Sequence, residues 1–195
     1  MAKVTGPLFS LSASGQIAKT LVFMKWKGIA DVRKYVIPAN PNTAAQQAQR
    51  ALITAALSAW HVTDWIAADL TAWNLLATTL GRVMSGFNAF VKLHVDSGVA
   101  GKTYAVCNNF APTPAVDSAS IVFDTGLTGV LEATLKYGIS KTAMVEGEDV
   151  GADGGKLTFA LTGLTASTKY FCKVIPKDTD ELAYSGIYTF TTTAA

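Results

Sequence analysis

Apolar and polar residues alternate in the first part of the chain, which is the pattern of β-strands with two distinct faces. The alternation runs through residues 22–26 and again through residues 30–37, and Lys27-Gly28 between them is suited to a turn. We therefore predict a β-hairpin with basic and aromatic residues on its surface. The prolines within residues 38–42 end this region, because proline cannot donate a hydrogen bond to a strand ladder.

From Asn42 onward the apolar residues recur at the three- and four-residue steps of amphipathic helices. We predict a first helix after a cap at Asn42 or Thr43, a second from Thr63 or Asp64, and a third from Ser85. The expected buried stripes are Ala45, Ala48, Leu52, Ala56 and Ala59 in the first helix, and Ile66, Leu70, Trp73, Ala77 and Leu80 in the second. The short connections predict that consecutive helices pack as neighbours.

After residue 111 the pattern returns to alternation. Five short alternating runs, separated by turns that contain Gly or Asp, punctuate the last part of the chain. Short strands at near-regular spacing are typical of a β-sandwich. The predicted fold is an α+β N-terminal module (a β-hairpin plus about three helices), residues 1–110, followed by an all-β sandwich, residues 111–195.

Charge is distributed unevenly, although the 195-residue chain carries a formal net charge of only +2. Residues 1–50 contain seven Lys or Arg and one acid, whereas residues 113–195 contain six Lys and ten acids. This polarity indicates either a head-to-tail orientation of subunits or docking of the basic end on an acidic surface. The alternative is two solvated faces that differ in sign, and the sequence leaves this choice open.

The composition excludes a disordered chain and a disulfide scaffold. Half of the residues are apolar and 15% are charged, which is enough apolar material for a packed core. The two cysteines, Cys107 and Cys172, are too few for a disulfide framework, and their spacing does not decide whether they are bridged. The sequence shows no signal-peptide pattern and no apolar run of membrane-spanning length. We expect folding in the cytoplasm, with no membrane partner.

Basic and aromatic residues are concentrated in the predicted hairpin, at Lys25, Trp26, Lys27, Arg33 and Tyr35. Such a set suits a protein–protein interface, where Trp, Tyr and Arg are the usual anchors. It also suits phosphate contact combined with base stacking. We rank a core position for Trp26 or a subunit interface first and nucleic acid well behind, because the total charge is only +2.

Residues for catalysis or metal binding are sparse. The two histidines, His61 and His94, form no His-x-x-x-His pair, and there is no Cys-x-x-Cys motif. Residues 151–157 lack the first glycine and the final Ser or Thr of a phosphate loop and are better interpreted as a hairpin turn. The acidic residues nearby fit no EF-hand spacing, so a solvated loop is preferred to a calcium site; they are Glu146, Glu148, Asp149 and Asp153. We therefore predict no enzyme activity, no catalytic residue, no cofactor and no metal.

The segment Leu161–Tyr170 reads Leu-Thr-Gly-Leu-Thr-Ala-Ser-Thr-Lys-Tyr. It resembles the L-x-x-L-x-P-x-T-x-Y turn of fibronectin type III domains, with Ala166 in place of the proline. The resemblance covers residues 113–193 and implies a fibronectin-III-like sandwich. It also implies a structural tyrosine corner, in which the hydroxyl of Tyr170 bonds back to the backbone.

Several short segments of the first half form a second pattern: Gly6-Pro7-Leu8, Ser14-Gly15, Leu21-Val22-Phe23, Lys25-Trp26-Lys27-Gly28, Val32-Arg33, Asn40-Pro41-Asn42-Thr43, Gln46-Gln47-Ala48-Gln49-Arg50, Ala72-Trp73-Asn74 and residues 85–91. Together they resemble a family of uncharacterised proteins encoded by bacterial viruses and prophages. Its members look like virion or phage-encoded structural proteins. The resemblance implies a setting and not a mechanism.

The two resemblances lead to one expectation about function. Fibronectin-like sandwiches usually act outside cells, yet no export signal is found, and a phage particle assembles in the host cytoplasm and is released by lysis. We expect a non-enzymatic virion structural protein, either a capsid decoration or a tail or neck accessory subunit. It would contact other virion proteins and form symmetric homo-oligomers. The alternative is an adhesin-type binding module that recognises a host surface or carbohydrate.

Overall fold

The computed structural model divides the chain into two compact units, Met1–Thr43 and Ala44–Ala195. The residues that the structure describes are 3–4, 13–26, 29–37, 39, 42–81, 83–126, 132–177 and 181–194. The first unit contains a single antiparallel sheet, and the second contains three helices together with a β-sandwich.

The first unit is a four-stranded meander in the order β1-β2-β3-β4. Its strands are β1 (Lys3–Val4), β2 (Ala13–Ile17), β3 (Leu21–Trp26) and β4 (Ile29–Lys34). β3 and β4 correspond to the predicted hairpin, while its Lys27-Gly28 turn lies outside the described residues. Between β2 and β3 the chain turns at Ala18 and Lys19, whose φ angles of 45° and 55° are left-handed.

Three helices open the second unit: α1 (Ala44–Val62), α2 (Ala67–Thr79) and α3 (Gly86–Val99). α1 begins directly after Thr43, as predicted, and the Ser85 side chain caps α3 by accepting a bond from the N–H of Asn88. α2 begins at Ala67 and not at residues 63–64. The indole of Trp65 donates to the carbonyl of Trp60 at 2.7 Å, and this bond holds the connection in a non-helical conformation.

The helix packing confirms part of the sequence expectation. α3 packs against α2, as predicted for consecutive helices, and it also packs against α1, for which the sequence predicted α2 as the neighbour. The buried residues of α2 are Asp69, Ala72, Trp73, Leu76 and Ala77. Trp73 and Ala77 of the predicted stripe are buried, whereas Leu70 and Leu80 are 41% and 38% exposed. α2 packs against the sandwich as well as against α3, so its buried face also includes Asp69 and Ala72. None of the described helices combines the length and apolar character needed to cross a membrane.

The sandwich consists of two antiparallel sheets, ordered β10-β7-β6 and β13-β11-β8-β9. Its strands are β6 (Asn108–Pro114), β7 (Ser118–Asp124), β8 (Glu132–Gly138), β9 (Val145–Gly151), β10 (Lys156–Thr162), β11 (Lys169–Pro176) and β13 (Tyr188–Thr191). Inward residues alternate with outward ones along β7, β10 and the start of β11, so Ile121, Phe159 and Cys172 are buried between the sheets. This arrangement is the fibronectin-III-like sandwich that the resemblance implies.

Two further strands connect the helices to the sandwich. β5 (Thr103–Val106) follows α3 and pairs in parallel with β12 (Glu181–Tyr184), which precedes β13. A second core lies at the helices and contains Trp73, Phe90 and Ile187. The boundary predicted at 110/111 therefore falls inside β6, within one compact unit, because the helices share their core with the last strands of the sandwich.

Candidate interaction surface

The structure separates the basic and aromatic residues of the hairpin onto two faces of the N-terminal sheet. Arg33 is paired with Val22, so these two side chains lie on the same face, and Tyr35 follows Arg33 by two residues. Lys25, three residues after Val22, lies on the opposite face. The backbone of Trp26 pairs with that of Ile29, and Lys27 lies outside the described residues.

We call the side with Arg33 the arginine face, defined by Gln16, Val22, Arg33 and Tyr35. Gln16 pairs with Val22 and Val22 with Arg33, which places one residue of each strand in a single row. The N–H of Tyr35 donates to the carbonyl of Thr20 at 2.7 Å and continues the ladder beyond β4. These residues line a shallow depression of about 490 Å³.

The opposite side is the apolar face, defined by Ile17, Leu21, Phe23 and Val32. Ile17 pairs with Leu21, and Phe23 pairs with Val32, so their side chains form one contiguous patch. Leu21 is 42% exposed and Val32 is 52% exposed. Lys25 and Lys34 lie on the same face at its margin, and both are exposed. The apolar face is therefore a hydrophobic patch with a basic rim.

The described side chains of the sheet are not buried. Those of residues 14–17, 21–25 and 31–34 are all exposed or half-buried. A small sheet needs a buried hydrophobic face to be stable, and chains of about 40 residues usually gain it from disulfides, metals or association. The exposed apolar side chains of the sheet therefore form a surface to which another protein can bind.

Two carboxylates of β9, the edge strand of the second sheet of the sandwich, are bonded within the chain. The carboxylate of Glu148 points towards β10 and accepts the N–H of Ala160. Asp149 pairs with Thr134 beside an irregularity in the β8–β9 register. The hydroxyl of Thr134 donates to Asp149, and this bond, together with the ammonium of Lys177 at 3.0 Å, lowers the pKa of the Asp149 carboxyl.

A buried carboxylate joins the helices to the sandwich. Asp69 in α2 is 0% exposed. One oxygen accepts the hydroxyl of Tyr188 at 2.7 Å, and the other accepts the N–H groups of Asn109 at 3.0 Å and Ile66 at 3.2 Å. Burial and the Asp69 carboxylate raise the pKa of Tyr188, so its hydroxyl stays protonated and remains a donor. The Asp69 junction fixes α2 against β6 and β13.

The geometry around the Asp69 junction depends on two local backbone features. Asn109 has a left-handed φ of 53° at an irregularity in the β6–β7 register, which turns its N–H towards Asp69. Its side chain donates to Asp124 at 3.1 Å. At Gly186, an added Cβ would lie 2.5 Å from the carbonyl carbon of Ala72, so only glycine permits this approach of α2 to the chain before β13.

The tyrosine corner is formed as the resemblance implies. The hydroxyl of Tyr170 accepts the N–H of Thr165 at 2.9 Å. The Tyr170 ring is buried and stacks on Phe190 with centroids 5.6 Å apart. The hydrogen bond ties the turn before β11 to that strand, which fixes the start of the strand in the sandwich.

The residues that sequence reasoning considered for chemistry do not assemble into a site. Within the described residues there is no group of three or more His, Cys, Asp or Glu that could hold a metal. His61 is exposed, while burial lowers the pKa of His94, which packs beside Tyr104. Residues 151–157 form the turn from β9 to β10, with Gly154 and Gly155 at left-handed φ angles.

Both cysteines are free thiols in buried positions. Burial raises the pKa of Cys107 to about 12 and also raises that of Cys172. A thiol with such a raised pKa is protonated at neutral pH and is a poor nucleophile. Cys107 and Cys172 therefore act as small core residues.

Comparison with known proteins finds similarity only to solved structures. No family profile matches the sequence, and no curated protein matches it. The fibronectin type III domain of human fibronectin type III domain containing protein 3 is 19% identical, over 48% of this chain and 90% of that chain, with a TM-score of 0.39. The fn3 domain of human collagen alpha-1(XX) chain is 24% identical, over 46% of this chain and 83% of that chain, with a TM-score of 0.33. With scores this low, the fold assignment rests on the strand order and tyrosine corner of this chain itself.

Proposed function

We propose that this protein is a non-enzymatic structural subunit of a bacteriophage particle, either a capsid decoration or a tail or neck accessory protein. The N-terminal sheet anchors it to other virion proteins, and the sandwich faces outward. The observation that carries the proposal is the exposure of the described side chains of the N-terminal sheet, with Leu21 42% and Val32 52% exposed on its apolar face. A partner surface would bury these apolar side chains.

The two units differ in how far their apolar side chains are buried, which supports a different role for each. The sandwich encloses its own core, with Ile121, Phe123, Leu135 and Phe159 at 0% exposure. It therefore needs no neighbour to be stable and is suited to an exposed position. The N-terminal sheet, by contrast, is suited to contact with its surroundings.

The resemblance of the first half to phage-encoded proteins supplies the setting. Some of the resembling segments fall on β3, on β4 and at the start of α1. Others fall on α2 and α3, where Trp73 and Phe90 are buried. The segments on the exposed strands are those that support a role in recognition.

The test is retention on the phage particle. Particles of the encoding phage or induced prophage would be purified by density gradient, mixed with tagged protein, and sedimented again. We expect the full chain to co-sediment and a variant that lacks residues 1–43 to stay in the supernatant. The matched control is the full chain carrying Arg33→Lys, which keeps the charge of the sheet and should still co-sediment.

Three outcomes would contradict parts of the proposal. Absence of the native protein from purified particles, measured by mass spectrometry, would refute the virion role. Equal retention of the variant without residues 1–43 would refute anchoring by the sheet. Binding to a glycan array or host surface without binding to particles would favour the adhesin alternative.

A further inference from the structure

We propose that β4 of one copy pairs with β4 of a second copy, so that two N-terminal sheets join edge to edge in a symmetric dimer. β4 is the last strand in the order β1-β2-β3-β4, and its outer edge pairs with no other described strand. An exposed edge of this kind is a template for a further strand. The inference concerns the edge of the sheet and not its apolar face, and it does not depend on the virion role.

The register of the sheet determines which backbone groups of β4 reach this outer edge. The N–H of Tyr35 donates to the carbonyl of Thr20 at 2.7 Å, in continuation of the β3–β4 register. Hydrogen-bonded pairs of antiparallel strands recur at every second residue, so the odd-numbered residues of β4 bond towards β3. The N–H and C=O groups of Ala30, Val32 and Lys34 therefore point away from β3, where another strand can bond to them.

Charge selects a second copy of β4 as the strand that binds there. Asp31 and Arg33 are both exposed and lie two residues apart on the arginine face. Neither side chain has a hydrogen bond or an ion pair in the part of the chain that the structure describes. An antiparallel β4 pair centred on Val32 places Asp31 of each copy directly opposite Arg33 of the other, so two ion pairs form across the symmetry axis.

The neighbouring registers are disfavoured. A shift by one residue would leave the outward backbone groups without partners. A shift by two residues keeps those groups aligned, but it places Asp31 opposite Asp31 in one direction and Arg33 opposite Arg33 in the other. Like charges directly opposite each other destabilise a strand pair, so the charges favour the register centred on Val32.

Apolar residues continue across the same junction on the apolar face. Val32 is 52% exposed and would lie opposite Val32 of the second copy. Phe23 pairs with Val32 within each sheet, so the dimer would have a row of four apolar residues across its centre. Because both copies use the same strand, the contact is isologous and closes at two subunits. The dimer would present two apolar faces side by side.

The first test is a charge-swap mixing experiment with the full chain. One variant carries Asp31→Lys and the other carries Arg33→Asp. Each is examined alone and in an equimolar mixture by sedimentation velocity at low salt. The matched control is Lys34→Asp, which makes the same change of charge as Arg33→Asp one residue further along β4, on the opposite face of the sheet.

We expect a concentration-dependent dimer for the wild type. Each swap variant alone should dimerise at least about tenfold more weakly, because both cross-strand pairs then bring like charges together. The equimolar mixture should recover the dimer, because the two basic residues of one variant lie opposite the two acidic residues of the other. Lys34→Asp should dimerise as the wild type does.

The second test is a thiol cross-link, which reports the register and decides the question if a swap variant misfolds. The Cα atoms of a hydrogen-bonded pair are about 5.5 Å apart, so a bifunctional thiol reagent with a one-carbon bridge should link two copies of Val32→Cys. Lys34→Cys is the matched control and should not be linked, because its two positions lie about 14 Å apart along the strands. The native thiols, Cys107 and Cys172, are buried.

Three results would overturn the inference: a wild type that is monomeric at all concentrations, a mixture of folded variants that recovers no dimer, or equal cross-linking of Val32→Cys and Lys34→Cys. Circular dichroism establishes that each variant is folded. Retention on particles is measured separately. A monomeric protein that still co-sediments would refute the β4 dimer and leave the virion role standing, whereas a dimer that is not retained would do the reverse.

Discussion

The Asp69 junction allows the clearest prediction of stability. Asp69→Ala removes the only side chain that accepts bonds, among the described contacts, from the Tyr188 hydroxyl and the Asn109 N–H. The carboxylate is 0% exposed, and both donors are at least half-buried. Because Asp69 is fully buried, we expect these donors to lose their partner without full access to water.

The magnitude follows from the donors that Asp69 accepts, which also include the N–H groups of Ile66 and Phe110. An unsatisfied buried donor costs about 1–3 kcal/mol, so the Tyr188 hydroxyl and the Asn109 N–H alone give a loss of at least about 2–6 kcal/mol in the free energy of unfolding. Tyr188→Phe removes only the hydroxyl bond to Asp69 and should cost about 1.5–3 kcal/mol, the usual value for a bond to a charged group. The loss in the free energy of unfolding should therefore be larger for Asp69→Ala than for Tyr188→Phe.

The assay is urea unfolding followed by circular dichroism and by tryptophan fluorescence, since Trp73 is fully buried in the helical core. The control is Asp96→Ala in α3, which removes an exposed ion pair with Lys92 and should cost about 0–1 kcal/mol. The reasoning would be refuted if Asp69→Ala cost no more than Asp96→Ala. It would also be refuted if the helices and the sandwich unfolded in separate transitions, because the junction is argued to join them.

Three more predictions concern other parts of the second unit. Gly186→Ala should destabilise the protein by about 1–3 kcal/mol in the same urea assay, because its Cβ meets the backbone of Ala72 at 2.5 Å; a neutral effect would contradict that contact. Cys107 should resist alkylation at pH 8 in native protein and react in urea, as measured by mass spectrometry, and native labelling would show that it is not buried. Asp149→Asn should destabilise the protein at neutral pH. Because the pKa of Asp149 is lowered in the folded protein, the stability that its carboxylate contributes is present above the unfolded-state pKa of about 3.9 and is lost as pH falls through the lower folded-state pKa. A difference from wild type that persists in melts at low pH would contradict the role given to Asp149.

The hairpin, several sandwich strands and most helix boundaries could be predicted because they depend on short-range pattern. Residues 145–151, interpreted from the sequence as part of a solvated acidic loop, instead form β9. The alternation of residues 22–26 and 30–37 gave β3 and β4, and the Ser85 cap gave the start of α3. The same alternation predicts that Lys25 and Arg33 lie on opposite faces of the sheet. Grouping the hairpin residues by chemical type concealed this separation. Period-two reasoning applied to those two residues would have placed them on opposite faces.

The Asp69 junction could not be predicted because it depends on contacts distant in the sequence. Asp69 bonds to Asn109, which is 40 residues away, and to Tyr188, which is 119 residues away. On a helix predicted to bury Ile66, Leu70 and Trp73, an aspartate at position 69 is expected to be solvated. Because α2 packs against the sandwich, its buried face includes Asp69, and the Asp69 carboxylate has a structural role.

The boundary at 110/111 was drawn for a similar reason. A change in period from 3.6 to 2 marks a change in secondary structure, and it does not show which elements share a core. Ile187 belongs to the core with Trp73 and Phe90, and its N–H donates to the carbonyl of Ala72 at 3.0 Å. The division between compact units instead follows Thr43, after the N-terminal sheet.

The most direct test of the central claim, that the N-terminal sheet is completed by a neighbouring protein, is amide hydrogen exchange of the dilute and the particle-bound chain. The account predicts rapid exchange of the β3 amides in dilute protein and slow exchange on the particle, while β7 and β11 amides are equally protected in both. If the β3 amides in dilute protein were as protected as those of β11, the sheet would be stable without a partner and the account would be wrong.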